Sequence, residues 1–182
     1  MSHTVRLCQP RLRGALLAAA VALALSACSS SSNQETSPAT APAAPNVAPA
    51  AKFSAYTAAI PATPANAQCA LDAINARPAA DVAPLAADSD IVFGGWAGNG
   101  KGQAAKGFLL VLKGDQSYSA PIVTNVARAD VAKAVSSDGM ANSGFNLTVP
   151  LTGVAAGTYQ AFIVDSADAS NVCDLHRSIV VR

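Results

Sequence analysis

The residues of this chain whose types and spacing bear on chemistry are few, and His176 heads them. It stands beside Cys173 and Asp174 in a chain rich in serine. A hydrolytic Ser–His176–Asp arrangement would need a nucleophile, a base and a group that orients the base. No G-x-S-x-G elbow is present to hold the serine, and the other histidine, His3, lies in a segment with the layout of a removed signal. Zinc takes three or four Cys, His or carboxylate ligands, so one histidine next to a cysteine does not make a site, and no metal or other cofactor is expected.

The run Gly95-Trp96-Ala97-Gly98-Asn99-Gly100-Lys101 satisfies G-x-x-x-x-G-K, but Gly102 occupies the place of the magnesium-binding Ser or Thr. A phosphate cradle also needs a helix to follow, and the residues after it read as a strand. The run is expected to be a flexible loop between strands, with Trp96, Asn99 and Lys101 as its possible ligand-facing residues. Trp96, the sole tryptophan, reads as an inward-facing core aromatic, with sugar stacking as the alternative. Asp88-Ser89-Asp90 marks a turn rather than a cation site, and Arg128 and Asp130 are close enough to pair and fix a bend.

These residues must be positioned by the chain beyond Gln68, where short alternating or apolar runs are separated by Gly, Asp, Asn and Ser. Strands are predicted near 69–74, 90–97, 107–113, 116–122, 144–149, 158–164 and 178–181, with a helical turn at 130–135. About seven short strands in about 115 residues predict an all-β, antiparallel β-sandwich. In Phe145-Asn146-Leu147-Thr148-Val149 the alternation is clean, so Phe145, Leu147 and Val149 face the core and the two polar residues face water. Residues 158–164 are apolar on both faces, as in a central strand. Gly114-Asp115 reads as a hairpin turn.

Upstream, Met1 to Arg13 carries three arginines and no acid, and Gly14 to Leu25 is a run of twelve apolar or small residues, the layout of a secretion signal. It is shorter than the roughly 20 residues a transmembrane helix needs. The run ends Leu25-Ser26-Ala27-Cys28, which resembles the lipobox of bacterial lipoproteins. The resemblance implies cleavage before Cys28 and lipidation of its thiol, and Ser29 and Ser30 after it imply the outer membrane, facing the periplasm, rather than the inner. Two or more acyl chains anchor durably where one does not.

The expected organisation is therefore a signal peptide over 1–27, a Ser/Ala/Pro-rich disordered linker over 28–67 starting at the lipidated cysteine, and the sandwich over 68–182. Within the linker Phe53, Tyr56 and Ile60 recur at i, i+3, i+7, compatible with one short docking helix, although a solvated tether is the expectation. With Cys8 in the signal and Cys28 committed to lipid, Cys69 and Cys173 remain, and an oxidising compartment predicts a disulfide between them.

Phe93-Gly94-Gly95-Trp96-Ala97, Arg128-Ala129-Asp130-Val131 and the segment Gly144 to Leu151 resemble immunoglobulin-like accessory modules of bacterial envelope and glycan-related proteins. That resemblance implies an immunoglobulin-like sandwich over most of 69–182 and carries no catalytic residue with it. Removing Arg6, Arg11 and Arg13 from the twelve basic residues leaves nine against eleven acidic ones, and the nine are scattered singly. No phosphate-tracking stripe results, so nucleic acid is not an expected partner. The expected function is a non-catalytic envelope lipoprotein that binds or organises a protein or glycan. The alternatives are an assembly or chaperone-like factor offering a sheet edge and a hydrolase using His176.

Overall fold

Phe145, Leu147 and Val149 are buried while Asn146 and Thr148 are exposed, the alternation expected of a strand with one face on a core. This strand belongs to a computed structural model that describes residues 51–182. The expected signal peptide, the lipidated Cys28 and the tether as far as residue 50 lie outside the described residues. Among the described residues no helix is long and apolar enough to cross a membrane.

The strands are β1 (Ser54–Ala55), β2 (Cys69–Ile74), β3 (Arg77–Pro78), β4 (Asp90–Ala97), β5 (Phe108–Lys113), β6 (Tyr118–Ile122), β7 (Gly144–Pro150), β8 (Gly157–Asp165) and β9 (Val172–Val181). Among the described residues one α-helix, α1 (Ala129–Ala134), lies between β6 and β7. They form two antiparallel sheets ordered β1-β6-β5-β8-β9 and β3-β2-β4-β7. The protein is an all-β sandwich with an immunoglobulin-like strand arrangement, in which the fourth long strand, β6, pairs with β5 rather than with β7. Seven of the nine strands fall where the sequence places them. The additions are the two-residue β1 and β3, and β9 begins six residues earlier than expected. In β9 the register jumps, with Gln160 opposite Ser178 but Phe162 opposite Asp174, so a bulge around His176 breaks the alternation that would have marked the strand.

The interior is built from facing side chains of the two sheets, among them Ile91, Phe93, Phe145, Leu110, Ile163 and Ile179, each at most 1% exposed. Burying a side chain of that size contributes roughly 1.5–3 kcal/mol. The sheets are also tied covalently by the expected disulfide, since Cys69 of β2 and Cys173 of β9 are bonded. Gly95 lets β4 pass close to its neighbours. A Cβ there would strike the Ala70 carbonyl and stand 2.9 Å from the Phe145 ring. The bulge permitted by Gly94 and Gly95 falls on the partner strand, where Leu71 faces Gly95 and Ala73 faces Gly94, leaving Asp72 as the extra residue.

The expected linker boundary at residue 67 is corrected: the chain belongs to the fold from residue 51 onward. Phe53 is 8% exposed and meets Phe93 edge-on at 6.4 Å between ring centres. Ser54 and Ala55 pair with β6 as a strand, where a helix was the docking alternative. Tyr56 and Ile60 then lie on the outer face of the larger sheet, against Val111, Phe162, Val164 and Val172. The cause is that sheet's composition. Leu109, Val111, Phe162 and Val164 make its outer face apolar as well as its inner one, and such a face needs a cover. The segment 56–66 supplies it, fixed at its ends by the Tyr56 N–H on the Ser117 carbonyl (2.8 Å) and the Asn66 N–H on the Val172 carbonyl (3.1 Å). Prolines deny this strap regular structure without preventing it from packing.

Candidate binding surfaces

Two loops meet at one end of the sandwich, one after β4 and one between β8 and β9. The first turns through Gly100 and Gly102, whose φ angles of +77° and +74° suit glycine. Asn99 Oδ1 accepts the N–H groups of Lys101 (2.8 Å) and Gln103 (3.2 Å), and Gln68 Oε1 accepts that of Gly102 (3.1 Å). The second is wound on its own acids. Asp165 Oδ1 accepts the Ala167 N–H at 2.8 Å, and Asp168 Oδ1 accepts both the N–H (2.9 Å) and hydroxyl (2.6 Å) of Ser170. The Ser170 hydroxyl, then the backbone bonds, hold the Asp168 carboxyl below the usual carboxylate range.

Asn171 joins the loops by donating to the Asn99 carbonyl at 3.3 Å. The buried Asn66 donates to the Gly98 carbonyl at 2.8 Å and accepts the Gln68 N–H at the same distance. Between the loops lies an open hollow of about 440 Å³, lined by Asn66, Asn99, Lys101, Asp165, Asp168 and Asn171, among others. Lys101 is exposed and forms no ion pair among the described residues. Asn99 and Lys101 thus stand where the sequence pattern puts them. Asp165, Asp168 and Asn171 were missed, although the string Asp165-Ser-Ala-Asp168-Ala-Ser170-Asn171 is a turn signature. No helix follows the G-x-x-x-x-G-K run, and the N–H groups of Gly98, Asn99, Lys101 and Gly102 donate to the Gln68 carbonyl, the Gln103 carbonyl, Asn99 Oδ1 and Gln68 Oε1, so the phosphate cradle is not formed.

Trp96 sits in β4, within the strand expected over 90–97 rather than in the loop that follows, and the expectation that it faces the core is corrected: the alternation that buries Ile91, Phe93, Gly95 and Ala97 turns Trp96 to the outer face of the smaller sheet, where it is half-buried. The cause is register. Counting inward positions from Phe93 puts every odd residue of β4 inside, and Trp96 falls on the other side.

On that outer face Trp96 lies between Ala70 of β2 and Gly144 of β7. Arg128 crosses the same face. Its Cγ would be 2.8 Å from a Cβ at Gly144, and its guanidinium reaches Asp72 at 2.6 Å and Asp130 at 2.8 Å. The Arg128–Asp130 pair was expected, and Asp72, which comes from the bulge 56 residues away, was not. The pairing with Asp130, followed in effect by that with Asp72, raises the Arg128 pKa further above its ordinary value. The hydrogen bonds from Arg128 hold the Asp130 carboxyl down at about 2.

His176 lies on the β9 bulge in a left-handed conformation, φ +50°, with its side chain 83% exposed. Its Nδ1 is 3.5 Å from Asp174 Oδ2, and its backbone N–H donates to Asp174 Oδ1 at 2.7 Å. No serine hydroxyl is hydrogen-bonded to it among the described residues. Among the described residues no three His, Cys, Asp or Glu side chains converge as a metal site.

Comparison of the chain with known protein families, with characterised proteins and with solved structures yields no match to any of them.

Proposed function

We propose that this chain is a non-catalytic binding module of the bacterial cell envelope, tethered by lipid on Cys28, that holds another envelope component at the loop end of its sandwich. The observation carrying this reading is the hollow between the two loops. Its walls are fixed by Asn99, Asp165, Asp168 and Asn171, so the backbone there is organised before any ligand arrives, and ordering costs at binding are reduced. Lys101 and the Oδ2 of Asp168, which accepts no hydrogen bond among the described residues, remain at the rim to recognise one. The lipid anchor rests on the Leu25-Ser26-Ala27-Cys28 sequence alone. The non-catalytic part rests on His176, whose exposed ring has an aspartate beside it and no aligned nucleophile among the described residues.

A photo-crosslinking residue at Lys101 in intact cells is expected to capture one envelope component that the same residue at Asp115, in a different loop, does not. Equal capture from both places would remove the loop end as the binding surface. Labelled palmitate is expected in the wild type and not in Cys28→Ala, and label in the variant would remove the anchor.

A second reading is favoured by β7. The bonds Leu151 N–H to Ser89 and Ala97 N–H to Ser143 fix the ladder alternation, so Asn146 and Thr148 turn their backbone groups away from β4. With β6 in the other sheet, only Val126 at the Gly144 end pairs with this edge among the described residues. An assembly factor would add a client strand here. Thr148→Pro, which removes one edge donor, is expected to abolish client capture on that reading and to leave the Lys101 crosslink intact on the first.

A further inference from the structure

Trp96 stands on the middle long strand of the smaller sheet; Val126 and Arg128 stand over the Gly144 position beside it, while Asp72, Val92, Asn146 and Thr148 on the same face are exposed. Its indole N–H makes no hydrogen bond among the described residues and is not a buried unpaired atom, so it reaches solvent. Among the same residues the ring takes part in no ring–ring or cation–ring contact. A half-buried tryptophan whose N–H is free, on a sheet face otherwise lined by polar side chains, can stack the apolar face of a ring and hydrogen-bond at its edge.

From this geometry we propose that the face binds a β-1,4-linked pyranose chain, with one sugar ring stacked on Trp96 and its hydroxyl groups met by Asn146, Asp72 and Arg128. The proposal rests on the binding-module reading above but uses none of the loop-end residues. Three observations select the ligand class.

The first is that the surroundings of the indole are polar, which suits a ring with C–H groups on its face and hydroxyls on its rim. Asn146 and Thr148 are exposed on the neighbouring strand, and the Asn146 side chain forms no hydrogen bond among the described residues. Its Oδ1 lies 3.0 Å from where a Gly94 Cβ would be, diagonal to Trp96 across the ladder. The only exposed large apolar residue on this face, among those described, is Val92, 38% exposed, too little for an apolar protein partner.

The second is charge. Arg128 is engaged by Asp72 and Asp130, so the face offers no free cation among the described residues to attract a phosphate or a nucleic acid, while two guanidinium hydrogens and Asp72 Oδ1 remain for neutral hydroxyls.

The third is shape. Ala70 and Gly94, both small, flank the tryptophan while Val126 and Arg128 stand over Gly144, so the face is walled at the Gly144 end and low and open along β4 toward Gly94 and Val92. A straight ribbon such as a β-1,4 chain lies along it, and a helically coiled α-linked chain does not.

The test is co-sedimentation of the purified full chain with peptidoglycan sacculi, chitin and cellulose, with α-linked starch granules as the control. Wild type is expected on at least one β-1,4 polymer and not on starch. Binding to sacculi alone assigns the glycan to the cell wall, and binding to chitin or cellulose as well assigns the linkage as the feature recognised. Trp96→Ala is expected to weaken retention about thirtyfold, the loss of a central aromatic anchor. Trp96→Phe, which keeps a stacking ring and guards against misfolding as the explanation, is expected to stay within about threefold. Asn146→Ala is expected to lose about fivefold, one neutral hydrogen bond, and Asp115→Ala, in the loop between β5 and β6, nothing. Absence of wild-type binding to all three polymers, equal binding to starch, or undiminished binding by Trp96→Ala overturns the proposal and leaves capture at Lys101 untouched. Failed capture at Lys101 with intact, Trp96-dependent sedimentation overturns the loop end and leaves the glycan face standing.

Discussion

The outer faces of the two sheets differ. That of the β1-β6-β5-β8-β9 sheet carries Val111, Phe162, Val164 and Val172 and is covered by Tyr56 and Ile60 of the segment before β2. That of the β3-β2-β4-β7 sheet carries Asp72, Gly94, Asn146 and Thr148 around one tryptophan, with Val126 and Arg128 over its Gly144 end among the described residues. An apolar outer face is a liability that a chain must cover from its own length, whereas a polar face bearing a single aromatic ring is soluble uncovered and available to a ligand. The difference accounts for the fate of the stretch from Ala51 to Asn66: it has the composition of a linker, yet the fold retains it because one sheet is apolar on both sides.

Substitutions put this contrast to the test. The largest effect is expected from removing the bond that ties the two sheets. Its partners are 104 residues apart, and closing a loop of that size contributes about 4.7 kcal/mol, so Cys69→Ala with Cys173→Ala should lower the stability measured by denaturant titration by that amount. A loss under about 1 kcal/mol would mean that packing alone holds the sheets.

Next is the cover itself. Tyr56→Ala with Ile60→Ala should cost about 3 kcal/mol and raise binding of a hydrophobic dye, both side chains being partly buried. Trp96→Ala should cost about 1 kcal/mol and leave dye binding unchanged, and equal costs would erase the distinction between the faces.

Smaller is a stabilisation at the turn between β2 and β3, where Asn75 and Ala76 have φ of +51° and +60°. Alanine is strained there, so Ala76→Gly should raise stability by about 0.5–1 kcal/mol in chemical denaturation.

The smallest concerns acid. The folded Asp130 pKa of about 2 lies below its ordinary 3.8, so ionised Asp130 favours the fold fully above that ordinary value, and the contribution disappears as pH falls through 2. Thermal melts from pH 5 to pH 2 should show the wild type losing a small increment that Asp130→Asn lacks.

How much of this could be read from residues depends on what each pattern encodes. The clean alternation at Phe145–Val149 gave strand, face and burial together, because period two admits one answer when one side is buried. The both-face apolar run Tyr159–Val164 marked a central strand, and the cover it demands was present as Tyr56 and Ile60, but the pairing of face with cover is a tertiary fact that proline-rich composition obscured. Trp96 was misassigned because Gly94 and Gly95 hide the alternation in β4: a residue without a side chain gives no sign of its face. The loop-end site was half legible. Asn99 and Lys101 announced themselves by the glycines around them, while Asp165, Asp168 and Asn171 lie about 65 to 70 residues further on and meet them only through the strand order.

The contrast between the two faces is most directly measured by hydroxyl-radical footprinting of the purified protein, read by mass spectrometry and normalised to the intrinsic reactivity of each residue type. Trp96 should be labelled and Phe162 protected in the wild type, and Tyr56→Ala with Ile60→Ala should uncover Phe162 without altering Trp96. Equal normalised labelling of Phe162 and Trp96 in the unaltered chain, or protection of Trp96, would contradict the account.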